Sequence, residues 1–214
     1  MGYGDSLEVY ARKVSAGSNA ASQPVTIDDL QALFTSQKLP PYTDNVRRGT
    51  GWATMSTAAV AALVVRPSTT AAFEIFNGYP AGSKSLVIDR VFFFGLVTTA
   101  VNEGWSGWAQ VTLPKAAVAT GSFAVTSAYG SKQYNGPVIA AASTTVIANG
   151  WYPVTDQQQS SGAGVTPYGC AIGKMEGRLI VPPQCSLCLH VVASLVGETF
   201  TQGASWFEEL LVLE

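Results

Sequence analysis

The 214-residue chain is poor in charge, with one histidine and three cysteines. Charged side chains make up 12% of its residues, about half of the usual share, and the net charge is −2. Binding to nucleic acid needs clustered Lys and Arg, so we expect no nucleic-acid partner. A charge-poor surface suits burial against copies of the chain or against other proteins. The alternative is a Gly- and Ala-rich β domain with an uncharged but polar surface.

We expect neither a secretory leader nor a membrane-spanning segment from this sequence. Asp5 and Glu8 stand where a basic and then apolar leader would be. The uncharged run 52–65 is fourteen residues long, whereas a spanning helix needs roughly 20. Three cysteines do not make a disulfide framework. We expect no membrane partner, and free thiols in a reducing cytoplasm.

The stretch "CSLCLHVV" (185–192) holds two cysteines and the only histidine. As a strand it would place Leu187, Leu189 and Val191 on one face, and Cys188, His190 and Val192 on the other. Structural zinc usually takes two separated ligand pairs, and a redox C-x-x-C usually opens a helix. A zinc site would have to use Cys170, Cys185, Cys188 and His190. We therefore expect structural roles for these residues, with no metal and no cofactor.

Catalytic signatures are also missing. Any Ser-His-Asp or Cys-His arrangement would have to use His190. The chain has no G-x-S-x-G, P-loop, H-E-x-x-H or G-x-G-x-x-G motif. Asp156 is the only acid between residues 104 and 173, so a glycosidase would need two carboxylates brought from far apart. The sequence predicts a protein that is not an enzyme.

Charge is concentrated near the N-terminus. Residues 1–48 hold ten of the 26 charged side chains, which predicts a boundary near Gly49–Gly51. We expect an arm over residues 1–50, with a linker at 14–24, and a domain over 51–214. Residues 25–42 predict one short amphipathic helix that ends at Pro40–Pro41. The expected protein-binding residues of the arm are Ile27, Leu30, Leu33 and Phe34 on one helix face, with Arg47 and Arg48 at the rim. The alternative is that this helix packs on its own domain.

After residue 51 the chain is rich in β-branched and aromatic runs separated by Gly, Pro and Asn-Gly turns. We predict a polar loop at 155–169. This pattern is typical of an all-β sandwich or barrel, with a jelly roll as the favoured form. The predicted strands are 71–79, 85–99, 105–113, 122–129, 143–154, 177–183, 186–197 and 204–213.

Several aromatic residues stand near predicted turns. Trp105, Trp108, Trp151 and Tyr152, together with the 155–169 loop, could stack on sugars or enter a partner's pocket. Core anchoring of a sandwich is the commoner use of such residues. The aromatic residues support, as an alternative function, a receptor- or carbohydrate-binding module.

"RLIVPPQCSLCLHVVASLVGETFTQGASWFEEL" (178–210) resembles the ending of small jelly-roll virion proteins encoded by tailed bacteriophages. "FEIFNGYPAGSKSLVIDRVFFF" (73–94) resembles an earlier hairpin of that group. The resemblance covers residues 70–210 and leaves the first 48 unmatched. It implies a capsid decoration or cement protein, or a head fibre, usually trimeric. The implied partners are itself, as a homotrimer, and the major capsid protein or other virion proteins. The implied location is the capsid surface. For the alternative function, the resemblance implies a receptor- or carbohydrate-binding module of a phage fibre or tail.

Overall fold

The computed structural model describes residues 10–11, 23–24, 43–98, 104–114, 123–128, 133–148, 150–159 and 164–211. The chain divides into two compact units, Met1–Pro41 and Tyr42–Glu214. In the first unit, β1 (Tyr10–Ala11) pairs antiparallel with β2 (Gln23–Pro24). The predicted arm helix, with Ile27, Leu30, Leu33 and Phe34, lies outside the described residues and stays a prediction.

Two antiparallel sheets build the second unit. The first, here called the β13 sheet, has the order β10-β7-β13-β5-β9, and β11 also pairs with β7. Its strands are β5 (Thr70–Phe76), β7 (Gly104–Val111), β9 (Ile139–Thr145), β10 (Tyr152–Pro153), β11 (Gln158–Gln159) and β13 (Ser186–Ala193).

The second sheet, here called the β14 sheet, has the order β12-β6-β14-β3-β8, and β4 also pairs with β14. The prediction of an all-β protein built as a sandwich is confirmed, while the jelly-roll form stays a prediction. The strands of this sheet are β3 (Gly51–Met55), β4 (Val60–Ala61), β6 (Lys84–Thr98), β8 (Thr126–Ser127), β12 (Gly164–Val181) and β14 (Thr199–Leu210).

The main core contains side chains of both sheets. Phe73, Leu187 and Leu189 come from the β13 sheet, and Phe93 and Trp206 from the β14 sheet; none is more than 1% exposed. These side chains belong to alternating strand positions, because successive side chains of a strand point to opposite faces. Full burial of each such side chain contributes about 1.5–3 kcal/mol of hydrophobic stabilisation.

One helix, α1 (Thr43–Arg48), precedes the first long strand and was not predicted. It ends where Gly49 takes a left-handed conformation, with φ of 70°, which glycine adopts at little cost. Asn45 Nδ2 donates to Glu209 Oε1 at 2.8 Å. A Cβ on Gly51 would lie 3.1 Å from the Phe207 ring and 3.3 Å from Val46. Residues 43–48, which the sequence places in the arm, therefore contact the β14 sheet.

The structure corrects two further expectations. Residues 73–94 do not form a hairpin, because β5 lies in the β13 sheet and β6 in the β14 sheet. The connection between them is held by buried Asn77, whose Nδ2 donates to the carbonyls of Lys84 and Val181, at 3.0 Å each. The segment 155–169 is not all loop either, since β11 and the start of β12 lie within it.

Candidate protein-binding surfaces

The stretch 185–192 places its side chains on two faces of β13. Leu187, Leu189 and Val191 point into the main core, whereas Cys188 packs in a second cluster. The predicted alternation is therefore confirmed. Cys185 belongs to the main core, so the two cysteines of the C-x-x-C pair lie in separate clusters.

The outer face of the β13 sheet is covered around Cys188. Val146 and Trp151 pack against Cys188. Trp151 Nε1 donates to the Ser68 carbonyl at 2.8 Å, and Gln110 Nε2 donates to the Ile147 carbonyl at 3.0 Å. This second cluster is why Cys188 is fully buried although it points away from the main core.

His190 lies on the same outer face and is 3% exposed. The Val191 N–H donates to its Nδ1 at 2.9 Å. Burial lowers the pKa of His190 below its ordinary value of 6.5, and the Val191 carbonyl, 3.1 Å from Nδ1, partly opposes that shift. The imidazole is therefore neutral near pH 7 and enclosed.

The three cysteines are free, with Cys170 exposed and the other two buried. Burial also raises the pKa of the Cys185 thiol, which disfavours its reactive thiolate. In the part of the chain that the structure describes, no group of three or more His, Cys, Asp or Glu side chains is placed to hold a metal ion.

A buried carboxylate ties three segments together. Glu208 on β14 is 5% exposed and accepts hydrogen bonds from Tyr79 Oη at 2.7 Å and Tyr134 Oη at 2.9 Å. The Lys84 ammonium lies 3.4 Å from Glu208 Oε2. Burial, reinforced by Glu208, raises the pKa of both tyrosines above their usual range. Since both phenols stay protonated, they serve as donors that hold the turn before β6 and the 134–138 segment onto β14.

The aromatic residues predicted as a sugar- or partner-binding set do not share one surface. Trp105 is 1% exposed and Trp151 is 4% exposed. Trp108 is half-buried, with its Nε1 donating to Ser106 Oγ at 3.0 Å. Tyr152, at 42%, is the exposed member. Trp105 and Trp151 therefore serve as buried packing residues, Trp105 in the main core and Trp151 in the second cluster.

Tyr152 lines an open groove of about 780 Å³ between the edges of the two sheets. Asp156 stands on one side of this flank groove, and Lys174 and Arg178 stand on β12. At this point β12 has a bulge, with four residues between Lys174 and Leu179 facing one residue of β6. Bulges bend a strand and redirect its side chains, so the bulge forms a charged rim around the groove.

An apolar groove of about 500 Å³ crosses the outer face of the β14 sheet. Gly203 pairs with Phe92 on one side and Met55 on the other, so β14 contributes no side chain between those two. A Cβ there would overlap the Thr54 carbonyl oxygen and lie within 2.9 Å of the Met55 Cα. The groove is lined by Ala53, Thr54, Met55, Thr57, Phe92, Phe94, Ala124 and Thr126.

A second apolar surface, here called the aliphatic knob, consists of Val64, Val65, Leu195 and Val196. Their exposed fractions are 48%, 65%, 50% and 74%. Leu63 exchanges backbone hydrogen bonds with Val191 and Ala193, and Ala62 donates to the Glu198 carbonyl. These bonds hold the Val64–Val65 pair beside the 194–197 turn. Neither the knob nor the groove was predicted; the only sequence signal was a pair of adjacent aliphatic residues at each of two turns.

Of the predicted arm residues, the structure describes Arg47 and Arg48. Both are exposed in the last turn of α1, where basic residues suit the partial negative charge of a helix C-terminus. Their predicted role at the rim of a protein contact stays a prediction, as does that of Ile27, Leu30, Leu33 and Phe34.

Comparison with protein-family models, with curated proteins and with solved structures finds no match for this chain. Among the described residues, no helix has the length and apolarity to cross a membrane.

Proposed function

We propose that this chain is a non-enzymatic virion structural protein that decorates or cements a phage capsid through protein–protein contacts. In this proposal it is a homotrimer on the capsid surface. Its partners are further copies of itself and the major capsid protein or other virion proteins, and its N-terminal arm carries the attachment.

The strand order is the observation that carries the proposal. One sheet contains the run β3-β14-β6-β12 and the other the run β5-β13-β7-β10. If these eight strands are taken in chain order, they change sheet at every step except from β7 to β10, as in a jelly roll with two Greek keys, a fold found in viral capsid and lectin domains. In this assignment β9, outside β5, and β8, outside β3, are added edge strands.

The surface is also suited to association. Ile172, 46% exposed, pairs with Phe92 and extends the apolar face of the β14 sheet beyond the groove. Contiguous exposed apolar surface marks interaction sites on soluble proteins. A protein that binds the assembled shell but not its free subunits stabilises the shell by mass action, by about 2.7 kcal/mol per site at a hundredfold excess over Kd.

Particle binding tests the proposal. Purified full-length protein is mixed with particles stripped of it, sedimented, and quantified in the pellet. Deletion of residues 1–41 keeps α1 and its Asn45–Glu209 hydrogen bond. We therefore expect a folded protein that no longer sediments with particles. Leu33→Asp with Phe34→Asp in the full chain should have the same effect, and Leu113→Asp, exposed on the body, is the charge control. Undiminished binding of the truncated protein would refute attachment through the arm.

The flank groove supports the alternative, a receptor- or carbohydrate-binding module. An exposed aromatic ring beside Asp156, Lys174 and Arg178 offers both stacking and hydrogen bonding to a sugar. The alternative predicts a glycan-array signal that Tyr152→Ala abolishes and Leu113→Ala, exposed elsewhere, leaves unchanged. The absence of any signal on a broad array would count against it.

A further inference from the structure

We infer that the aliphatic knob of one copy inserts into the apolar groove of a second copy, and that this contact builds the homo-oligomer. The inference rests on the self-association part of the proposed function and deepens it by naming the two surfaces. It does not depend on what the arm binds.

The two surfaces are complementary in shape and in polarity. The knob projects from two adjacent turns, and the groove is a recess of about 500 Å³ in the outer face of the β14 sheet. None of the groove-lining residues that the structure describes is charged, and neither is any of the four knob residues. Joining them therefore buries apolar area without the desolvation of a charge, which costs several kcal/mol per ion.

The knob does not occupy the groove of its own chain, since its four side chains are half to three-quarters exposed. β4 holds the knob at Thr199 and Phe200, whereas the groove residues Phe94 and Phe92 pair further along β14, with Thr201 and Gly203. A projecting surface and a recessed one at different places on one chain make a heterologous contact. Such contacts close into a ring when the rotation between copies allows it, and a ring of three fills every groove with a knob. The net charge of −2 sets little repulsion against this association.

Sedimentation velocity of the full chain at micromolar concentration tests the inference. Val65→Asp with Val196→Asp places charges at the two most exposed knob positions. We expect self-association to weaken at least tenfold, because each aspartate would be buried against the apolar groove without a partner charge. Met55→Lys in the groove should weaken it similarly. Leu113→Asp, 54% exposed outside both surfaces, is the matched control and should stay oligomeric.

Charge pairing makes the test specific. A chain carrying both Val65→Asp and Met55→Lys brings an aspartate of one copy against a lysine of the next, so we expect association to recover relative to either single variant. Each variant should show an unfolding midpoint and a near-UV spectrum like those of the control, which excludes loss of the fold. If the aspartate variant does not fold, Val65→Ser with Val196→Ser replaces it.

Three outcomes distinguish the claims. Knob variants that stay as oligomeric as the control would overturn the knob-in-groove contact and leave self-association standing. A wild-type chain that is monomeric at these concentrations would overturn both. Particle binding, measured separately, decides whether the decoration part of the proposed function survives either result.

Discussion

His190 should make the protein less stable in mild acid. Its imidazole is 3% exposed in the middle of β13, and burial lowers its pKa below 6.5. A group with a lowered native pKa contributes stability above its unfolded pKa and loses it as the pH falls. The loss therefore begins near pH 6.5. It grows by about 1.4 kcal/mol per pH unit while the native imidazole stays neutral, and reaches at most about 2 kcal/mol at pH 5.

Urea unfolding at a series of pH values from 7.5 to 5 measures this loss through the linear extrapolation of the unfolding free energy. His190 is the only histidine, so His190→Gln isolates its contribution from that of the carboxylates. We expect the variant to be less stable at pH 7.5 but to show a flatter dependence on pH down to 5. Parallel curves for wild type and variant would refute the reasoning, because His190 would then titrate alike in the native and unfolded states.

Three further predictions concern the carboxylate network, the groove floor and the thiols. Because the pKa of Tyr134 is raised in the native state, stability should fall as the pH rises above about 10. Tyr134→Phe should flatten that fall and should cost about 2 kcal/mol at pH 7, since the hydrogen bond to Glu208 is lost. Urea unfolding measures both effects. Gly203→Ala should lower the thermal midpoint because its Cβ would overlap backbone, whereas Gly169→Ala, whose Cβ would make an ordinary 3.6 Å contact, should not; equal midpoints would contradict this. A thiol reagent should label Cys170 quickly in the native protein and the two buried cysteines only on unfolding; three fast thiols would disprove their burial.

The sequence predicts those strands whose alternation is set by burial between the sheets. β13 is the clearest case, because its inward residues are all aliphatic and its partners lie on both sides. β12 was predicted only from residue 177, although it begins at Gly164. It is an edge strand, and the part before Ala171 is rich in polar and glycine residues. Pairing with β6 stabilises that part, and strand propensity alone does not report such pairing.

Burial of the outer faces depended on tertiary contacts that no local pattern encodes. Trp151 follows an Asn-Gly turn and looked available to a ligand, yet it packs on Cys188 and donates to the Ser68 carbonyl. The apolar groove depends on the register that sets Gly203 between Phe92 and Met55. The knob depends on the bonds that place two distant turns side by side. The groove and the knob therefore depend on how the strands are paired and on which turns lie next to each other, and the local sequence specifies neither.

Electron cryo-microscopy of the purified virion, with mass spectrometry of its proteins, decides whether the chain is a structural component of a phage particle. We expect the chain in stoichiometric amounts. We also expect its two-sheet bodies to form rings on the capsid surface, with the arm of each copy reaching the shell. Purified particles that lack the chain, or that carry it only at the tail tip, would show that it is not a capsid decoration protein.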